Sequence, residues 1–291
     1  MATIFERFRL KRRQLPDRSP QYEMKLPNFF IIGANKAGTS SLYHYCRQHP
    51  EIFMSKNKEP MFFTASGPLP TTDEKVVNKP GLYYQYFTLR EYIDLFVSAT
   101  EPVRGEASTA YLANPNSTMW IRKIIPDAKL IVILRNPIER AISDFEFQAN
   151  RNKSESRTLA QAINDALNGY ISPANAKQVG DNLLNDPQRY LKLGLYGHQL
   201  SVVKRFFPDN QLFIADYGDY NKDTVEFVQK VYKFLGVGEF IPPDTQRLNV
   251  SDHAIPHDIS SVLENKMKHY FEKDIEILQS LVNFDVLKWL Q

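Results

Sequence analysis

The chain of 291 residues carries a single cysteine, Cys46, so no disulfide can close within it, and a reduced cytoplasm is the expected setting. No stretch approaches the roughly 18 consecutive apolar residues of a membrane-spanning helix. The N-terminal "MATIFERFRLKRRQLPDRSP" lacks the apolar core of a secretory signal. Charge of one sign is also lacking over most of the chain. Residues 1–26 hold seven Lys/Arg against three Asp/Glu, while the remainder is almost balanced. A near-neutral body argues against a nucleic-acid surface. The basic start reads as a flexible arm over 1–26; its Ile4, Phe5 and Phe8 allow weak peripheral contact with an anionic membrane. The six histidines form no metal-binding pattern: His253 and His257 lie four apart, but Pro256 stands between them.

What is present is apolar substance enough for one large domain, with 43% hydrophobic and 12% aromatic residues. Short apolar runs alternate with amphipathic stretches. "NFFIIG" (28–33), "EIFMS" (51–55), "VRGEAS" (103–108), "LIVIL" (130–134) and "QLFIADY" (211–217) read as strands. Helical patterns fall at 39–48, 89–99, 115–126, after Pro137, near 158–168, over 187–207 with a break near Gly194, at 223–237 and at 261–282. The alternation predicts an α/β fold with a mainly parallel central sheet flanked by helices. The expected layout is one domain over 27–291, with a polar variable insertion or lid at 151–186.

The loop after the first strand, "GANKAGTS", nearly spells the phosphate-binding pattern G-x-x-x-x-G-K-[ST]. Gly33 and Gly38 have the right spacing and Ser40 fills the hydroxyl position. Thr39 stands where the lysine belongs, and the only lysine, Lys36, lies inside the loop. A degraded nucleotide loop is one reading. A loop whose ammonium meets a bridging oxygen beside a 5′-phosphate is the other. The strand "LIVIL" then lacks the acidic residue that holds Mg²⁺ in P-loop enzymes and is followed by Arg135. That fork of donors suits a second phosphate, with Ser143 eight residues later. Arg135 can equally cap the strand or pair with Glu139 or Asp144. "KNKEPMFF" (56–63) offers Lys58 and Glu59, which read alone are a solvated pair before a buried Phe62–Phe63 plug.

In that order, "IIGANKAGTSSLYHYCRQHPEI", "KNKEPMFF" and "KLIVILRNPIERAISDF" resemble the sulfotransferases that use 3′-phosphoadenosine 5′-phosphosulfate (PAPS). The nearest flavour is the carbohydrate, heparan sulfate sulfotransferase-like branch and its bacterial relatives. The resemblance spans about residues 27–240 and implies a P-loop-NTPase-like fold. It implies that Lys36, Ala37, Gly38, Thr39 and Ser40 hold the 5′-phosphosulfate, with Lys36 on the bridging oxygen. Arg135 and Ser143 would hold the 3′-phosphate. Glu59 would be the general base for an acceptor hydroxyl, and Lys58 would steady charge on the transferring group. The product nucleotide would be PAP, the acceptor a glycan or small molecule, and no metal would be required.

The chain departs from the heparan-type E-K-[ST]-P-x-Y pattern at "GEASTAYL". Glu106, Ser108 and Tyr111 fit, while Ala107 and Thr109 replace lysine and proline. This counts against a heparan-like acceptor. The late basic loop of that family falls at "RLNVSDHAIP" (247–256), with Arg247. The tyrosines of "GLYYQYF" (81–87) suit either sugar stacking or core packing. Two rivals to the enzyme reading are a P-loop kinase using ATP and Mg²⁺, and a non-catalytic nucleotide-binding module.

Overall fold

The computed structural model describes residues 25–64, 88–169, 186, 188–246, 248 and 259–291. The 81–87 tyrosines, most of the arm, the 170–185 stretch and all but Leu248 of the 247–256 loop lie outside the described residues, as do His253 and His257.

Among the described residues five strands form one parallel sheet in the order β2-β3-β1-β4-β5. They are β1 (Phe29–Gly33), β2 (Ile52–Met54), β3 (Val103–Ala107), β4 (Lys129–Leu134) and β5 (Leu212–Asp216). Every residue of β1 is buried, as a strand covered on both faces requires. β5 is half-buried at the edge. The register sets Phe30 beside Glu106 on one side and Leu130 on the other.

Helix α1 spans Thr39–Gln48. It starts at Gly38 and ends where His49 turns extended before Pro50, the conformation a proline at the next position demands. Helix α2 (Leu89–Asp94) opens with a reciprocal capping box between Thr88 and Glu91. It is shorter than the apolar spacing over 89–99 predicts, because the N–H groups of Leu95, Phe96 and Val97 bond three residues back, to Tyr92, Ile93 and Asp94, and the chain continues in tighter turns. Helices α3 (Pro115–Ile124) and α4 (Pro137–Glu146) share one device: an asparagine side chain, Asn114 or Asn136, caps the helix and a proline fills its first position. A π-helical turn, Phe147–Arg151, continues α4. Then come α5 (Leu159–Leu167), α6 (Arg189–Lys192), α7 (Tyr196–Phe206), α8 (Tyr217–Lys222), α9 (Thr224–Leu235) and α10 (Ser261–Gln279). Gly236 ends α9 at φ +85°, as its position after the periodic stretch predicts. Helix α8 has no counterpart in the sequence pattern; the Asp216 carboxylate nucleates it by accepting from the Gly218 N–H at 2.9 Å.

Two features of this sheet position the site. All strands run the same way, so the loops leaving β1, β2, β3 and β4 gather at one edge. The chain also starts in the middle of the sheet, fills one side with β3 and β2, then crosses to β4 and β5. The crevice at such a reversal is where open α/β sheets bind ligands.

Candidate active site at the C-terminal edge of the sheet

The loop from β1 enters α1 through Gly38, whose φ of +80° favours glycine. A Cβ there would stand 2.5 Å from Tyr220 Cε1. Among the described residues no side chain caps α1, and no acid lies in its first turn. Its first N–H groups therefore retain their affinity for an anion. Thr39 and Ala37 are buried, while Ser40 and Lys36 are partly exposed.

Lys36 is held at φ +67°. Its Nζ lies 4.2 Å from the centroid of the Phe147 ring, on the π-helical turn. Burial draws the Lys36 ammonium down to about 8; Arg151 and Arg135 push the same way, and Asp144 and Glu146 oppose them.

Arg135 leaves β4 beside this loop. Its Nη1 donates to the Lys36 carbonyl at 3.4 Å, and its guanidinium lies 5.1 Å from the Tyr217 ring centroid. Its Nε pairs with Glu139 at 3.1 Å, so of the two carboxylates open to it the first is the one engaged. Asp144 belongs to another group, paired to Arg140 at 3.2 Å and to Arg189 at 2.8 Å. Burial opposes the Asp144 charge, yet those two guanidinium groups hold its carboxyl below the usual carboxylate range. Ser143 is half-buried on α4, and no hydrogen bond among the described residues joins its hydroxyl to Arg135.

Glu59 sits on the other side of β1. Its Oε1 accepts from Lys58 Nζ at 2.8 Å and from Thr109 Oγ1 at 3.1 Å; its Oε2 accepts from the Thr109 N–H at 2.9 Å. The solvated-pair reading is thus half right. The pair exists, but both side chains are about three-quarters buried and the carboxylate has further partners. Glu59 and Met61 have φ of +60° and +53°, values that non-glycine residues adopt only under restraint. The restraint is visible. The N–H of Glu59 donates to the Ala107 carbonyl at 2.8 Å, that of Met61 to Ser108 Oγ at 3.0 Å, and that of Phe63 to the Tyr111 hydroxyl at 3.3 Å. Phe62 and Phe63 form the expected buried plug, Phe62 stacking on Tyr92 at 4.5 Å between centroids.

Beneath this segment Glu106 is fully buried. It accepts from the hydroxyls of Tyr111 at 2.8 Å, Tyr92 at 2.9 Å and Ser108 at 3.2 Å. Burial pushes its carboxyl up to about 8 against those three donors, and the charge of Glu59 adds to the rise.

Sequence reasoning missed three residues here: Thr109, Asn35 and Phe147. Thr109 carried a signal, since it stands where the resembling pattern has proline. Asn35 and Phe147 carried none.

Comparison with known proteins gives the family and the fold. The sulfotransferase domain family profile matches residues 26–273. The chain is 30% identical over 254 residues to carbohydrate sulfotransferase 15 of Mus musculus, covering 73% of this chain and 44% of that protein. It thus spans less than half the length of that relative. A crystal structure of a sulfotransferase from Alicyclobacillus acidocaldarius superposes with a TM-score of 0.72 at 28% identity, over 91% of this chain and 99% of that one. Mouse sulfotransferase SULT7A1, crystallised with PAP, shares the fold at a TM-score of 0.50 and 15% identity, over 91% of this chain and 88% of that one.

Proposed function

The chain belongs to the sulfotransferase family and is an enzyme of sulfuryl transfer, and from that premise we propose that its donor is PAPS, its acceptor a carbohydrate hydroxyl and its base Glu59. The kinase and the non-catalytic module give way to that membership, and Arg135 at the end of β4 leaves no metal-binding acid there.

One observation carries the finer reading. A restrained glutamate, Glu59, and an ammonium in an anion-binding loop, Lys36, stand on loops of the same sheet edge, joined through Asn35 and Thr109. Glu59 takes the proton of the acceptor hydroxyl as that oxygen forms its bond to sulfur. The bond from sulfur to the bridging phosphate oxygen breaks on the opposite side, and its electron pair stays on PAP. Lys36 meets the charge that develops on that oxygen, which is where differential binding raises the rate. Lys58 steadies the sulfuryl oxygens. Ala37, Gly38, Thr39 and Ser40 cradle the 5′-phosphate, and Arg135 with Ser143 takes the 3′-phosphate. For Arg135 this means exchanging Glu139 for the nucleotide. The mouse enzyme's PAP complex and the carbohydrate relative support donor and acceptor respectively.

Among the described residues no helix is long and apolar enough to cross a membrane. A cytoplasmic setting stays part of this reading, drawn from the lone cysteine of the sequence.

The test is transfer of labelled sulfuryl from PAPS to a panel of carbohydrate acceptors by the native chain and by Glu59→Gln. Label should reach a glycan, and the variant should lose about 10²- to 10⁴-fold in turnover while still binding PAP. A native chain that binds ATP–Mg²⁺ but not PAP would overturn the donor; near-native turnover in the variant would overturn the base.

A further inference from the structure

We propose that Thr109 is the positioning residue of the base, that Asn35 ties it to the anion-binding loop, and that Oε2 of Glu59 is the atom that takes the acceptor's proton. This rests on the reading of Glu59 as the base.

An ionised carboxylate offers about four lone-pair sites, two on each oxygen. Oε1 receives Lys58 Nζ and Thr109 Oγ1, which fills it. Among the described residues Oε2 receives only the Thr109 N–H, at 2.9 Å. One lone pair is left, and it is on Oε2. Thr109 thus grips both oxygens from a single residue and fixes the rotation of the carboxylate as well as its place.

The hydroxyl of Thr109 has one proton to give and lone pairs to accept with. Asn35 Nδ2 stands 3.4 Å from Thr109 Oγ1 and can only donate there. The hydroxyl proton is therefore aimed at Glu59. Asn35 precedes Lys36 in the loop, so the relay Asn35 to Thr109 to Glu59 sets the base in register with the leaving-group lysine. Glu59 needs such a grip, because its own backbone is at φ +60°. The proline that the resembling pattern puts at 109 has neither an N–H nor a hydroxyl. In this chain the side chain and the main chain of residue 109 do together what that pattern leaves to other groups.

The experiment compares Thr109→Val, Thr109→Ser and Glu59→Gln in sulfuryl transfer from PAPS, with PAP affinity measured alongside. Thr109→Val keeps the N–H and the branched shape but loses the hydroxyl; Thr109→Ala serves the same purpose should the added methyl disturb folding. Losing the hydroxyl should lower kcat roughly ten-fold, with the KM for PAPS and the affinity for PAP within about two-fold of native. Thr109→Ser should restore most of kcat. Asn35→Ala should lower kcat less, and the double variant Asn35→Ala/Thr109→Val no further than Thr109→Val alone, since both act through one hydroxyl. Collapse of Glu59→Gln with native kcat in Thr109→Val overturns the positioning role and leaves the base standing. Equal losses in Thr109→Val and Thr109→Ser assign the effect to packing and overturn it too. Native turnover in Glu59→Gln removes the base, and this inference with it.

Discussion

The ammonium of Lys36 lies against the face of Phe147, 4.2 Å from its centroid, rather than in open solvent. Cation–π attraction compensates only part of the lost hydration, and burial brings the group down to about 8 from its ordinary 10.5. The native chain then binds fewer protons than the unfolded chain between those values, so this group's contribution to stability improves as pH rises through that window. An anion in the loop reverses the balance. PAP binding near pH 8 should take up roughly half a proton, read from calorimetric enthalpies in buffers of different ionisation enthalpy. Lys36→Met should abolish the uptake. Binding without uptake by the native chain would mean that Lys36 stays on Phe147 when the nucleotide is bound.

Glu106 titrates with the opposite consequence. Its folded value of about 8 lies above the ordinary 4.5. Between them the folded chain keeps a proton that the unfolded chain has lost, so its contribution to stability is full below the lower value and falls away towards the upper one. Glu106→Gln mimics the protonated acid: its carbonyl accepts from the tyrosines and its amide donates to Ser108. The urea midpoint of this variant should lie near native at pH 6 and show a weaker decline towards pH 8.5. Glu106→Ala should be markedly less stable at both, because the hydroxyls of Tyr92 and Tyr111 lose a buried partner. A Gln variant as damaged as the Ala variant would show that the site needs the charge.

Arg135 has a weak partner to give up, since Glu139 is more than half exposed. Arg135→Ala should weaken PAP by about 10- to 150-fold, the span of a hydrogen bond to a charged group worth about 1.5–3 kcal/mol, and leave 5′-AMP nearly unchanged. Titration calorimetry with both nucleotides checks this. Equal binding of PAP and 5′-AMP by the native chain would falsify the assignment of the 3′-phosphate to this residue.

Gly38→Ala tests the geometry of the loop. The left-handed backbone costs an alanine about 1–2 kcal/mol, and the new Cβ meets Tyr220 Cε1 at 2.5 Å and Tyr217 Cε2 at 3.0 Å. Chemical denaturation should show a loss of roughly 1–3 kcal/mol, with PAP affinity falling as the first N–H groups of α1 turn. Native stability would mean that α8 yields to admit the methyl.

The sequence was most informative where one short stretch carries its own start and stop. Helix α1 was readable to the residue because Gly33, Gly38 and Pro50 punctuate it. β4 was readable because five aliphatic residues, rich in Ile and Val and closed by the Asn136–Pro137 turn, are too few for a buried helix and suit a covered strand. Helix α8 was not, since "YGDYNK" has no apolar period and depends on a cap from Asp216. The site divided along the same line. Lys36, Glu59 and Arg135 were visible as departures from, or matches to, local patterns. Their surroundings were not, because Thr109 lies 50 residues from Glu59 and Arg135 lies 99 from Lys36. No local pattern encodes contacts of that separation, or shows that Glu139 rather than Asp144 partners Arg135.

The central place of β1 divides the labour by halves of the chain. Among the described residues, those that grip Glu59 all precede β4 and lie on the β2–β3 side. Arg135, proposed above for the 3′-phosphate, follows β4 on the other side. Only the β1 loop belongs to both. Grafting the 56–64 and 106–114 segments of another family member as a pair should therefore change which acceptor is served while the affinity for PAP stays put. Grafting either segment alone should fail, because the amides of residues 59, 61 and 63 would face acceptors built for a different neighbour. On this expectation the two segments of this chain act as one unit, and acceptor choice changes only when both are exchanged together.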